Sequence, residues 1–166
     1  MKVINGITLF HGGELSNFSA ANFVINGIQF NRSEQYYAYQ KAIHFNDPNI
    51  ADAILKTTFP GHQKKLGRSI ETFKAKEWCK VMCTHMYDAC YAKFSQNEKL
   101  KQILLNTKDT ILAEASPYDN IWGIGLPQDD PRAWSKSTWR GSNLLGEVLM
   151  QVRHDIIVED TNNITF

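Results

Sequence analysis

No stretch of this 166-residue chain is apolar for long enough to cross a bilayer, and no excess of either charge is present: 18 basic residues stand against 17 acidic ones, a formal net charge of +1. The first absence excludes a membrane-spanning helix. The second excludes the broad electropositive field that holds nucleic acid nonspecifically, so any nucleic-acid contact is expected to be local. Cysteine is scarce as well, with only Cys79, Cys83 and Cys90. An odd count of three excludes a disulfide framework. No Cys-x-x-Cys turn is present and only His85 lies close by, so neither a metal nor another cofactor is expected. Spacings of four and seven place the three thiols near one face of one helix, where they read as core residues. The opening residues turn polar at once, without an apolar leader, and a cytoplasmic location without a membrane or an obligate protein partner is the expectation.

The residues that are present fit one domain with a core large enough to dispense with disulfides, expected over 1–160 with a short tail at 161–166. "NFVINGIQF" (22–30) reads as a hairpin closed by Asn26-Gly27. Helical periodicity begins at Ser33, and Asp47-Pro48 supplies a cap and a first-turn proline for a helix through about Thr57. "PGHQKKLGR" (60–68) is a short helix or turn. Apolar residues at intervals of three and four predict a central helix over 72–94, "EKLKQILLNT" another, and 143–156 a closing helix capped by Ser142. "TILAEA" (110–115) reads as a strand. The fold class is α+β: a mostly α-helical single domain with a small antiparallel β-sheet.

Between that strand and the closing helix lie about 25 residues without periodicity, yet rich in tryptophan, which marks an ordered and functional loop. It opens with "EASPYDNIWGIGL" (114–126), where two carboxylates, a tryptophan and two glycines together suit a ring and a polar group. In the first helix, Glu34 and Lys41 are seven residues apart, on one face and separated by a rise of about 10 Å. They are either two solvated charges or two groups that reach one ligand, and spacing leaves both readings open.

"LSNFS" (15–19), "GIQFNRSEQYYAYQKA" (27–42), "KKLGR" (64–68), Trp78, "KFSQN" (93–97), "LLNT" (104–107), "EASPYDNIWGIGL" and "GSNLLGEVLMQVR" (141–153) occur in the order in which they stand in the NADAR, or YbiA-like, family. The chain resembles that family over nearly its whole length. The resemblance implies N-glycosidase chemistry on ribosylated heterocycles. The expected substrate is ADP-ribose joined to guanine in nucleic acid, with phosphoribosylated pyrimidines of riboflavin synthesis as one alternative and a non-catalytic ADP-ribose-binding module as another.

Cleaving a ribosyl–nitrogen bond builds positive charge on the sugar, so a carboxylate that steadies it and activates water is required. The resemblance puts Glu34 in that role and makes Asp119 a second acid–base or ribose-binding group, unless it only stabilises the turn in "SPYDN". Lys41 offers a different route, capturing the anomeric carbon as a Schiff base, for which partial burial would have to lower its pKa. Trp122 presents a face for a base, with a core position as the competing reading, and Gly123 and Gly125 let backbone approach ribose or phosphate. Arg68 suits a phosphate, whereas Lys64 and Lys65 fit a solvated helix end. Asn17 and Asn143 are ribose or base ligands, or else turn and cap residues. Phe18 and Trp78 complete the expected binding set, Trp78 ambiguously, since it lies on an apolar helical face. Gln35 stands where many relatives carry His, which removes a titrating group beside the glutamate. The tryptophans of 127–141 would form a lid.

Overall fold

The pentapeptide Val-Ile-Asn-Gly-Ile occurs at 3–7 and again at 24–28, and each copy makes a hairpin. Asn5 and Gly6 take φ of 51° and 75°, and Asn26 and Gly27 take 51° and 76°. Two successive residues at positive φ are what a tight two-residue hairpin turn demands, and Asn-Gly tolerates them best. The expected hairpin at 22–30 is therefore present, and the first copy supplies a second one. The computed structural model describes residues 1–164, which pack as two compact units.

One unit is Asn17–Asn97. Its hairpin pairs β3 (Phe23–Ile25) with β4 (Ile28–Phe30), putting Phe23 opposite Phe30 with ring centroids 5.9 Å apart. Phe30 meets the Tyr36 ring edge-on at 5.0 Å. Helix α1 (Ser33–His44) packs against α2 (Pro48–Lys56), α3 (Pro60–Arg68) and α5 (Met82–Ser95). Close approach depends on small side chains: a Cβ on Gly67 of α3 would stand 3.2 Å from that of Ala38 on α1. As expected, the Asp47 carboxylate caps α2, accepting from the Ile50 amide at 3.1 Å.

The expected central helix over 72–94 is broken. Short α4 (Ala75–Trp78) ends in a tight turn in which Lys80 and Val81 donate to the Glu77 and Trp78 carbonyls at 3.2 and 3.0 Å, and α5 starts after it. Apolar residues keep intervals of three and four on both sides, so periodicity cannot mark the break. The break separates the cysteines too: Cys79 is exposed, Cys83 partly buried and only Cys90 a core thiol.

The other unit joins Met1–Ser16 to the chain from Glu98 onward. Strands β1 (Lys2–Ile4), β2 (Ile7–Phe10) and β5 (Ile111–Glu114) form a sheet of order β1-β2-β5. The β1–β2 pair is antiparallel as expected of the sheet, but β2 and β5 run parallel, with Ile7 opposite Ile111. The core comprises Ile7, Leu9, Ala113, Ala115, Ile124, Leu126 and Ala133. Helix α6 (Glu98–Leu105) packs on α7 (Leu144–Ile164), which covers β5. Helix α7 runs past 156 to Ile164, so the expected tail is helical that far, and 165–166 lie outside the described residues. In the segment 127–141, where a lid is expected, Trp134 and Trp139 pack on the core, and their indoles donate to the carbonyls of Gln128 at 3.2 Å and Ala133 at 2.9 Å. No described helix is long and apolar enough to cross a membrane. The class is α+β, dominated by helices.

Candidate functional site

The expected site residues divide between the units, with Asn17, Phe18, Glu34, Lys41, Arg68 and Trp78 in one and Asp119, Trp122, Gly123, Gly125 and Asn143 in the other.

In the first unit, Glu34 enters the opening turn of α1, where the helix dipole favours a carboxylate. It is buried, as is Asn17, and the two are joined twice. The Glu34 amide donates to the Asn17 carbonyl at 3.0 Å, and Asn17 Nδ2 donates to Glu34 Oε2 at 2.7 Å. Asn17, open between ligand and turn residue on sequence grounds, orients the carboxylate. The carbonyl of partly buried Phe18 accepts from Arg32 Nη1 at 3.2 Å.

Two turns along α1, the ammonium of partly buried Lys41 sits 3.8 Å from the Phe73 ring centroid. Burial first, and then the Arg68 guanidinium, pull its pKa below the ordinary lysine value, against an opposing pull from Glu34. The lowered pKa that a Schiff-base lysine requires is thus present, together with electrostatic contact to the carboxylate. A further cation escaped the sequence reading: Lys64, assigned to a solvated helix end, holds its ammonium 5.0 Å from the Phe18 ring centroid. Among the described residues none of Lys41, Lys64 and Arg68 is ion-paired with a carboxylate.

Trp78, expected in the binding set though ambiguous, is placed in the core. It is 3% exposed, donates its indole N–H to the Tyr37 hydroxyl at 2.7 Å and stacks on His85 at 5.4 Å. Gln35 is buried, donating to the Ile54 carbonyl at 2.9 Å and accepting from the Asn31 amide at 2.8 Å. It ties α1 to the end of α2 and stands in no titrating role.

In the second unit the loop is built around its own backbone. Asp119 Oδ1 accepts from the amides of Ile121 and Trp122 at 2.9 and 2.8 Å, the turn-stabilising geometry that the sequence left open. Trp122 is partly buried. At Gly123 and Gly125 the space a side chain would need is filled by protein. A Cβ on Gly123 would meet the Asp119 carbonyl at 2.9 Å, and one on Gly125, where φ is +69°, would collide with the Asn120 side chain. Asn143 is likewise structural: its Nδ2 donates to the Leu112 carbonyl at 2.8 Å and its Oδ1 accepts from the Glu114 amide at 3.0 Å, so both amide atoms are spent on β5. Its carbonyl also accepts from the Glu147 amide at 3.1 Å, which gives Asn143, and not Ser142, the capping position of α7.

Known proteins align with this architecture. The model of the NADAR domain matches residues 9–157. Protein irg-1 of Caenorhabditis elegans is 48% identical over 131 residues, covering 78% of this chain, and the chain spans 62% of that protein's length. N-glycosidase R617 of Acanthamoeba polyphaga mimivirus is 34% identical, covering 88% of this chain and 94% of its own. Riboflavin biosynthesis protein VVA0006 of Vibrio vulnificus is 30% identical, covering 87% of this chain and 35% of its own. The NMR structure of the Escherichia coli protein YbiA superposes with a TM-score of 0.79 at 28% identity, covering 96% of this chain and 90% of YbiA. With the domain model spanning both units and the YbiA fold reproduced around them, this chain belongs to the NADAR domain family.

Proposed function

We propose that this protein is an N-glycosidase that hydrolyses the bond between a ribose anomeric carbon and a nitrogen of a base, with ADP-ribose on guanine in nucleic acid as its substrate. The observation that carries the reading is the pairing, on one face of α1, of an oriented carboxylate, Glu34, with an amine of lowered pKa, Lys41. The name of the R617 relative supports the reaction class.

The lowered pKa favours the covalent route. In the ring-opened sugar, C1 is joined to the base nitrogen as an imine. The Lys41 lone pair adds to C1, the C1=N π electrons move to the base nitrogen, and Glu34 supplies the proton that nitrogen takes. Collapse follows as the added Lys41 nitrogen gives up a proton, which passes to the departing base nitrogen: the freed lone pair forms the double bond between C1 and Lys41, and the C1–base bond breaks with its electron pair leaving on the base nitrogen. Water deprotonated by Glu34 then adds to C1, frees the Lys41 amine and closes the cycle with one water consumed. Arg68 and Lys64 would hold the phosphates.

The VVA0006 name favours a second substrate, a phosphoribosylated pyrimidine, cleaved by the same chemistry. Incubating the protein with a guanine-ADP-ribosylated oligonucleotide and with a phosphoribosylated diaminopyrimidine, each followed by mass spectrometry, decides between them. Release of ADP-ribose from the oligonucleotide supports the first reading, cleavage of the small substrate alone supports the second, and ADP-ribose binding without turnover overturns both. Borohydride should trap a protein–sugar adduct in wild type and not in Lys41→Ala.

A further inference from the structure

Lys93 is 0% exposed, lodged in α5 between the buried residues Ala92 and Phe94. Taking an ammonium out of water is costly, and methionine or leucine would fill such a position without that cost. A lysine there calls for something the charge does. Its Nζ donates to Ser19 Oγ at 2.7 Å, beside the Phe94 ring.

Asn17, Phe18 and Ser19 lie together in the stretch between β2 and β3, outside any helix or strand. Each of the three residues is held by a different group. Asn17 is joined to Glu34 through backbone and side chain, and the Phe18 carbonyl is held by Arg32. Arg32 is itself fixed by the Thr58 carbonyl at 3.0 Å and Asn31 Oδ1 at 3.0 Å. Lys93 takes the third. The motif "KFSQN" continues the clamp, since Asn97 donates to the Asn22 carbonyl at 3.0 Å and Gln96 bonds the Val24 amide and carbonyl at 2.8 and 2.9 Å. These last contacts are exposed and hold the hairpin, whereas the buried ammonium donates to Ser19, two residues from the carboxylate's partner.

We propose that Lys93 is a positioning residue: through Ser19 its ammonium fixes the segment that presents the Asn17 amide to Glu34, and so sets the orientation and protonation of that carboxylate. The inference rests on the role given to Glu34 above.

The test compares full-length wild type, Ser19→Ala, Lys93→Met and Gln96→Ala for kcat, KM and the pH–rate profile. Ser19→Ala keeps the Lys93 charge and removes the hydroxyl that Lys93 donates to, so any change it causes is not the loss of a charge. It should lower kcat about tenfold with KM within about twofold, because misplaced catalytic groups cost rate before binding. The acid limb governed by Glu34 should move to higher pH, since a hydrogen bond to the charged form has been weakened. Lys93→Met should act in the same direction, and Gln96→Ala should lower Tm while leaving the limb in place. A folded Ser19→Ala protein with wild-type kcat and limb, or a rate scaled down equally at every pH, overturns the proposal.

If wild type cleaves neither ribosylated substrate, it is the glycosidase reading that fails, and the positioning is read from the Glu34 carboxyl carbon by NMR, with Glu34→Gln as the assignment control. A raised titration midpoint in Ser19→Ala supports the positioning role, and an unchanged midpoint overturns it.

Discussion

Asn17 grips Glu34 at both ends: its carbonyl takes the glutamate's amide proton at 3.0 Å and its side-chain amide gives a hydrogen bond to Oε2 at 2.7 Å. The backbone link fixes where α1 begins, and the side-chain link fixes where the carboxylate points. Together the two links hold the carboxylate in one orientation relative to α1.

Replacing Glu34 by Gln keeps the shape and removes the charge. Turnover of a ribosylated base should fall by about 10²–10⁴-fold, the usual share of a positioned acid–base group. Asn17→Ala, which leaves the carboxylate but frees it, should cost about tenfold in kcat and less in KM. Steady-state kinetics on folded protein checks both, and an Asn17→Ala variant with wild-type kcat would remove the orienting role.

Lys41 makes two pH-dependent statements. The unfolded chain keeps this proton up to the ordinary value of 10.5, while burial and Arg68 make the folded chain release it earlier. Between the folded value and 10.5 the unfolded state binds more protons, so stability rises with pH through that window, and below it the full cost of the buried ammonium is paid. Thermal melts of wild type and Lys41→Met should therefore converge as the pH is raised toward 10.5. For catalysis the neutral amine is the active form, so Arg68→Ala should return the lysine toward its ordinary value and carry the corresponding limb of the rate profile to higher pH. A rise in KM in the same variant would report loss of a phosphate contact, a separate effect read in the same experiment.

Trp78 was legible as an important residue and not as a kind of residue. Its burial, its hydrogen bond to Tyr37 and its stack on His85 make it a stability element. Trp78→Phe should destabilise by about 2 kcal/mol, from the lost hydrogen bond and the space left behind. Denaturant melts should show this while KM stays at the wild-type value. A raised KM at unchanged stability would return Trp78 to the binding set.

What the sequence revealed follows from how local each signal is. Asn26-Gly27 and Asp47-Pro48 act within four residues, and both stand where expected. The identical pentapeptide at 3–7 carries the same local signal, which was not among the expected elements. The parallel pairing of Ile7–Phe10 with Ile111–Glu114 was not legible, because no local pattern says which distant strand a buried run will join. The same holds at the site. Spacing put Glu34 and Lys41 on one face and the family resemblance gave them roles, but the Asn17 bond and the burial that lowers the lysine's pKa arise from tertiary packing. Glycine is the extreme case. Gly123 and Gly125 announce that something comes close, and only the structure shows that it is the Asp119 carbonyl and the Asn120 side chain.

Asn143 shows the cost of reading a polar residue in a motif as a ligand. It is 1% exposed, at φ +54°, with both amide atoms bonded to β5, and a Cβ on Gly146 one turn later would run into that same amide and the Leu112 carbonyl. Asn143→Ala would leave the Glu114 N–H and the Leu112 carbonyl buried without this partner, at about 1–3 kcal/mol for each group. Alanine also tolerates positive φ less well than asparagine, which adds to the loss. The expected outcome is a denaturant midpoint lowered by the equivalent of several kcal/mol at unchanged slope, with KM for the ribosylated substrate unaltered in the fraction that folds. Weakened substrate binding at full stability would instead make Asn143 a ligand and leave the attachment of α7 to β5 to Gly146 and the cap alone.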